Sequence, residues 1–288
     1  MIREAVAADL EALGPLCERA LTLDSDAATL PALLGDRPPR LRLVAVEDDR
    51  VVGFGCGSLA DGTGHLDLLV VDPSRLRQGI GTELVTALEM AFRTAGATQV
   101  VVGAAADRYA WPGVDVRYTP AVCLFDKLGY RQGGEATNMT VDLSRPVFDI
   151  PAAEQRLAAA GIEVRRLRTD EKPAFEDWMR QWGGSWPAEA ARSAAYPEPR
   201  CHVAVQHGDY LGFACHGSNR DSWFGPMGTN EAARGQGVGG VLLARCLADQ
   251  HAAGFAEAEI GWVGPVSFYS RTVGARIGRV FWFYEKSL

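Results

Sequence analysis

The sequence predicts an α/β (α+β) protein made of two tandem copies of one domain, each a mixed, mostly antiparallel central sheet flanked by helices. Three observations predict it. A hairpin pattern and a glycine turn both recur at nearly one offset. The same order of strand-like and helix-like segments runs through each half. The length, 288 residues, suits two domains of about 100–200 residues each.

The repeat is the primary signal. Val44-Ala45-Val46, the polar turn from Glu47 to Arg50 and Val51-Val52-Gly53-Phe54-Gly55-Cys56 return as Val203-Ala204-Val205, Gln206 to Asp209 and Tyr210-Leu211-Gly212-Phe213-Ala214-Cys215. Gly, Phe and Cys fall in register at an offset of 159, and each copy reads as an antiparallel hairpin. Gly79-Ile80-Gly81 returns as Gly237-Val238-Gly239 at an offset of 158, each opening a helix with Leu84 and Leu242 in matching places. One recurrence is cheap. Two at one spacing indicate duplication.

The other elements follow in the same order. The first half predicts a short strand at 2–5, helices near 8–21 and 27–34, the hairpin, a strand at 65–72, a helix at 81–95 and a buried strand at 99–105. The second predicts a strand at 163–167, a helix at 171–182, the hairpin, a strand at 223–229, a helix at 239–254 and strands at 257–263 and 279–285. Pro146 and Pro151 mark a linker within 144–160. Domains of 1–145 and 161–288 joined by 146–160 are expected.

Composition excludes several classes. At 47% apolar and 23% charged residues the chain can bury two cores and is too apolar for disorder. A net charge of −7 offers no basic face for nucleic acid, and suits a cationic amine partner. No apolar run reaches the roughly 20 residues of a membrane span, and Met1-Ile2-Arg3-Glu4-Ala5 begins no signal-peptide core. The six cysteines form no C-x-x-C pair and sit in apolar patterns, so a reducing cytoplasm and no metal site are expected.

Arg234-Gly235-Gln236-Gly237-Val238-Gly239-Gly240 lies between a strand and a Leu- and Ala-rich helix. Glycines there admit backbone shapes closed to other residues, and free N–H groups at a helix start suit a pyrophosphate. A phosphate-binding P-loop needs Lys followed by Ser or Thr after its last Gly, which neither half has. Gly235, Gly237 and Gly240 spell the dinucleotide fingerprint, with Glu257 and Glu259 near a ribose-binding position. That fingerprint opens a parallel sheet, whereas an antiparallel hairpin precedes this loop.

The spacing of Arg234, Gly237 and Gly239, in this order of elements, resembles the GNAT superfamily of N-acetyltransferases, and the resemblance covers nearly all of both halves. In the first copy Val71-Asp72-Pro73 precedes the loop, but Leu76 takes the Arg/Gln slot, flanked by Arg75 and Arg77. The resemblance implies acetyl-CoA as co-substrate without a metal, and a small-molecule amine or peptide amine as acceptor, in a monomer or homodimer. It places Met227, Gly228 and Thr229, with Arg234 to Gly240, on the acetyl-CoA. It also places a Tyr near the leaving sulfur: Tyr269 in Phe268-Tyr269-Ser270-Arg271-Thr272-Val273-Gly274, against Phe125 in Leu124-Phe125-Asp126-Lys127-Leu128-Gly129.

The contrast assigns the chemistry to the second copy, with the first degenerate. Acetyl transfer needs a neutral amine, a stabilised oxyanion and a proton for the thiolate. Glu259 and His216 are the candidate bases. Trp178, Trp182 and Trp186, four residues apart, are either core or walls of the acceptor pocket. The rival reading is a non-catalytic acyl-CoA-binding sensor or scaffold. A nicotinamide-dependent oxidoreductase stands third.

Overall fold

The computed structural model describes residues 1–35, 40–105, 108–145 and 150–288. They form two compact units, Met1–Ala136 with Val280–Leu288, and Thr137–Arg279.

In the first unit β1 (Ile2–Glu4), β2 (Arg40–Glu47), β3 (Arg50–Ala60) and β4 (Thr63–Val71) pair antiparallel in chain order, and β5 (Gln99–Val102) joins β4 in parallel. β6 (Val114–Asp115) and β5 both pair antiparallel with the chain's last strand, Glu285 opposite Val101 and Phe281 opposite Asp115. α1 (Leu10–Ala20) and α2 (Leu30–Gly35) cover one core, with Leu13, Leu16, Cys17, Leu30 and Leu34 buried against Phe54 and Leu68. α3 (Ile80–Thr94) and α4 (Thr119–Lys127) cover the other. Ile80, Leu84, Leu88 and Phe92 recur every fourth residue and are all buried, the stripe an amphipathic helix turns to a sheet. The insert around Tyr109–Gly113 packs inward: Trp111 Nε1 and the Tyr118 hydroxyl both donate to the buried carboxylate of Asp24.

β7 (Arg131–Asp142) starts in the first unit and ends in the second, where Met139 to Asp142 pair antiparallel with β12 (Glu257–Ile260). Beyond β12 the order is β11 (Trp223–Thr229), β10 (Asp209–His216), β9 (Cys201–Gln206) and β8 (Glu163–Arg166), antiparallel except for β11 with β12. α5 (Ile150–Ala159), α8 (Val238–Ala252) and α9 (Val266–Val273) bury one face; α6 (Lys172–Met179) and α7 (Trp186–Ala194) bury the other. The last strand, β13 (Arg276–Ser287), begins here and finishes in the first unit. Each sheet is therefore completed by a strand segment from the other half of the chain.

This exchange moves the unit limits away from the 1–145 and 161–288 expected from the repeat. The expected linker also differs. Residues 150–159 form α5, whose Ala153 and Leu157 are buried; Pro151 stands in its first turn, where a missing N–H costs nothing. Pro146 lies outside the described residues. The helix expected at 171–182 ends at Met179, and a second begins at Trp186 with Pro187 in its first turn. β7 was not anticipated, because its first five residues are polar or glycine and its buried apolar residues are only Ala136, Met139 and Val141. Among the described residues no helix is long and apolar enough to cross a membrane.

Candidate functional site

The candidate loop lies in the second unit at the start of α8. Gly237, the residue before the helix, has φ +90°, and Gly235 has φ +80°. A side chain is strained in that left-handed region by about 1–2 kcal/mol. No atom lies within 4 Å of where a Cβ on Gly237 would stand, so backbone shape and not crowding demands the glycine. Gly240 and Val241 both turn their N–H groups back to the Gly237 carbonyl, at 3.1 and 3.3 Å. Among the described residues the N–H groups of Gly235, Gln236, Gly237, Val238 and Gly239 meet no backbone carbonyl. Unpaired donors at the positive end of a 15-residue helix form a cradle that fits a pyrophosphate. Arg234 is exposed at its mouth, whereas Gly240 is buried and its N–H already bonded.

β11 leads into that loop and parts from β12 on the way. The parallel pairing covers only Trp223 with Glu259 and Phe224 with Ile260, so the edge of β11 from Gly225 onward is not paired with β12. The register with β10 slips between Ala214 opposite Met227 and His216 opposite Phe224, one extra residue on β11. On the β10 side, Asn230 N donates to Leu211 O. Direction alternates along a strand, so the Gly228 N–H faces β10, while those of Met227 and Thr229 face the opening between β11 and β12. Two of the three expected main-chain donors thus face that opening, and Gly228 does not. Gly228 serves by its bareness: a Cβ there would stand 2.6 Å from the Trp182 ring.

Tyr269 sits on α9 and is buried against Phe224 and Phe268, with ring centroids 6.3 and 5.1 Å away. Burial pushes its phenol up to about 12, so it stays protonated at neutral pH. Its hydroxyl makes no side-chain hydrogen bond among the described residues. The five-residue spacing to Gly274 is absorbed at the helix end, where Gly274 takes φ +67° and donates to Ser270 O at 3.0 Å.

The two candidate bases lie on opposite faces. Ala258 and Ile260 point into the core under α8 and α9, so Glu259 between them faces the α6 and α7 side, one residue from the point where the strands part. Asn138 Nδ2 donates to its Oε1 at 2.6 Å, and Arg279 lies 3.7 Å away. His216 faces α8, with Nε2 3.4 Å from Asp249, and His202 lies 2.8 Å from the same carboxylate. The structure brings Tyr269, the loop and β11 together, sets Glu259 on the far side of the same opening, and places His216 in a separate cluster. Asn138 carried no sequence signal. It is fully buried, with its Oδ1 accepting from Trp262 N at 2.7 Å.

The acetyltransferase (GNAT) family model matches residues 10–112 and again 164–269. The chain belongs to that family. No curated protein matches it in sequence. Among solved structures it is similar over 99% of its length, at TM-score 0.81 and 20% identity, to a GCN5-related glucosamine N-acetyltransferase region of a fungal multi-domain GH3 β-N-acetylglucosaminidase, of which it spans 38%. It is similar over its whole length to a tandem GNAT protein from the clavulanic acid biosynthesis pathway (TM-score 0.73, 19% identity, 98% of that chain). A GCN5-related N-acetyltransferase from Sphaerobacter thermophilus is also similar over the whole length (TM-score 0.72, 18% identity, 95% of that chain). At these identities the likeness is one of fold. GNAT membership carries acyl transfer from an acyl-CoA to an amine-type acceptor.

The first GNAT repeat keeps the loop shape, but Leu76 and Phe125 stand at the positions of Arg234 and Tyr269. Gly79 has φ +91° and Arg77 φ +64°, at the positions of Gly237 and Gly235. Phe125 stands where Tyr269 does, 2% exposed, its ring centroid 5.1 Å from that of Tyr130 and 5.6 Å from that of Tyr284. It offers no proton.

Proposed function

We propose that the protein transfers an acetyl group from acetyl-CoA to a primary amine, and that the second unit does so. The observation that carries this reading is the convergence in one unit of three parts: the N–H cradle from Gly235 to Gly239, the Met227 and Thr229 donors at the parting of β11 from β12, and the Tyr269 hydroxyl. The cradle with Arg234 holds the pyrophosphate. Met227 and Thr229 bind along β11 and fix the thioester, where main-chain donors stabilise the negative charge that develops on a carbonyl oxygen under attack. Glu259 takes the amine proton, directly or through water, and Tyr269 gives a proton to the departing sulfur.

A thiol-release assay with acetyl-CoA and a panel of primary amines tests it. Turnover with at least one amine is expected. Binding of acetyl-CoA without turnover across the panel would replace the enzyme with an acyl-CoA-binding sensor.

A further inference from the structure

We infer that the amine acceptor is carried on a ring with a flat apolar face, which stacks on the tryptophan wall formed by Trp182 and Trp186. The inference rests on the acetyl-transfer reading and names its substrate class.

α6 ends at Met179, so the i, i+4 spacing of the three tryptophans is not a continuous helical stripe. The turn that follows brings the outer edge of the Trp182 ring, Cη2 and Cζ3, up to Gly228 of β11, the residue between the Met227 and Thr229 donors. The opposite face of β11 is closed, since Gly239 in the first turn of α8 packs near Met227, Thr229 and Phe268. An acceptor must therefore reach the parted strands from the α6 and α7 side, past the tryptophans. Trp178, Trp182 and Trp186 form a staircase with centroid spacings of 5.9 and 5.5 Å, and Phe213 backs the last two at 5.5 and 6.0 Å. A purely structural stripe would end covered by protein. This one ends on Trp186, which is 36% exposed. The α7 carboxylate, Glu189, is buried and accepts from Ser185 Oγ at 2.5 Å, so it is not offered to a second ammonium group. Indole faces attract flat apolar surfaces and nearby ammonium groups alike. A ring carrying one amine satisfies both; a linear polyamine offers no face to stack.

The ring can be aromatic or a sugar ring, and the experiment separates these. kcat/KM is measured by thiol release for phenethylamine and tryptamine, for glucosamine, and for putrescine, spermidine and lysine. At least one ring amine should exceed every linear amine by about tenfold or more. Trp186→Ala should raise the KM for the best ring amine roughly three- to tenfold. It should leave the KM for acetyl-CoA unchanged in the folded variant, and Trp186→Phe should recover most of the loss. Better turnover of glucosamine than of the aromatic amines identifies a sugar ring, and the reverse an aromatic one. Linear amines matching the ring amines, or an unchanged KM in Trp186→Ala, would overturn this inference while leaving acetyl transfer intact. No turnover with any amine would remove both.

Discussion

Replacing Tyr269 by Phe removes one oxygen and leaves a buried ring in place. Because the hydroxyl has no side-chain partner among the described residues, its loss orphans nothing, and stability should change by less than about 1 kcal/mol. That corresponds to a melting shift under about 4 °C for a unit of this size. The chemistry should respond far more. The phenol, held at about 12 by burial, remains a donor at every practical pH, and a positioned proton donor contributes about 10²–10⁴-fold. The kcat should fall on that scale, a barrier increase of roughly 3–5 kcal/mol. The KM for acetyl-CoA should hardly move, because the bond to sulfur strengthens only as the thiolate leaves. Steady-state thiol release, with a thermal melt of the same preparation, measures both numbers. A kcat within about threefold of wild type would show that Tyr269 only packs and that another group or solvent protonates the sulfur.

Further predictions concern the loops, the Asp249 carboxylate and the exchanged strands. Gly237→Val forces a β-branched residue to φ +90° and should weaken acetyl-CoA binding about tenfold or more by calorimetry, whereas Gly79→Val should leave most turnover intact; the opposite pair of results would assign the chemistry to the first unit. Asp249 is half-buried, which disfavours its charge, yet His202 bonded at 2.8 Å, the nearby His216 and the Arg166 guanidinium at 2.8 Å hold its carboxyl well below the usual range; burial also lowers His202 below its ordinary 6.5. Both groups bind more protons when unfolded, so their contribution is complete above about pH 6.5 and is lost as pH falls through the folded values. The denaturation midpoint should therefore drop on acidification, and Asp249→Asn should cost about 1–3 kcal/mol at pH 7, with an unchanged midpoint counting against the pairing. Residues 1–145 expressed alone should lack cooperative unfolding, and adding a peptide of 276–288 should restore it; a cooperative melt without the peptide would show that the exchange is dispensable.

Much of the architecture was legible because it is written locally. The hairpins, the helices after each glycine turn and the candidate loop follow from period and turn chemistry within windows of a dozen residues. The contrast between Tyr269 and Phe125 needed only an aligned repeat. Other parts depend on distant pairings. No local pattern says that Met139 pairs with Ile260, or that Glu285 pairs with Val101, since a strand segment carries no mark of its neighbour. The same holds for Glu259. Its residue type nominated it, but the face it occupies follows from Ala258 and Ile260 turning into the core, and its anchor Asn138 lies 121 residues away in the chain. His216 failed to join the site for a related reason: residue type named it, and alternation on β10 turned it toward Asp249.

The exchanged strands also set an order of events during synthesis. Most of the first unit precedes the second in the chain, yet β5 waits for a partner made only after the second unit, which lies between Val101 and Glu285. Closing so long a loop is slow, and until then β5 presents an unpaired, apolar edge of the kind that recruits foreign strands. The hazard of aggregation should therefore last until β13 is made and fall on the first unit. A stop codon just before β13 would leave β5 and β6, made about 160 residues earlier, without their partner.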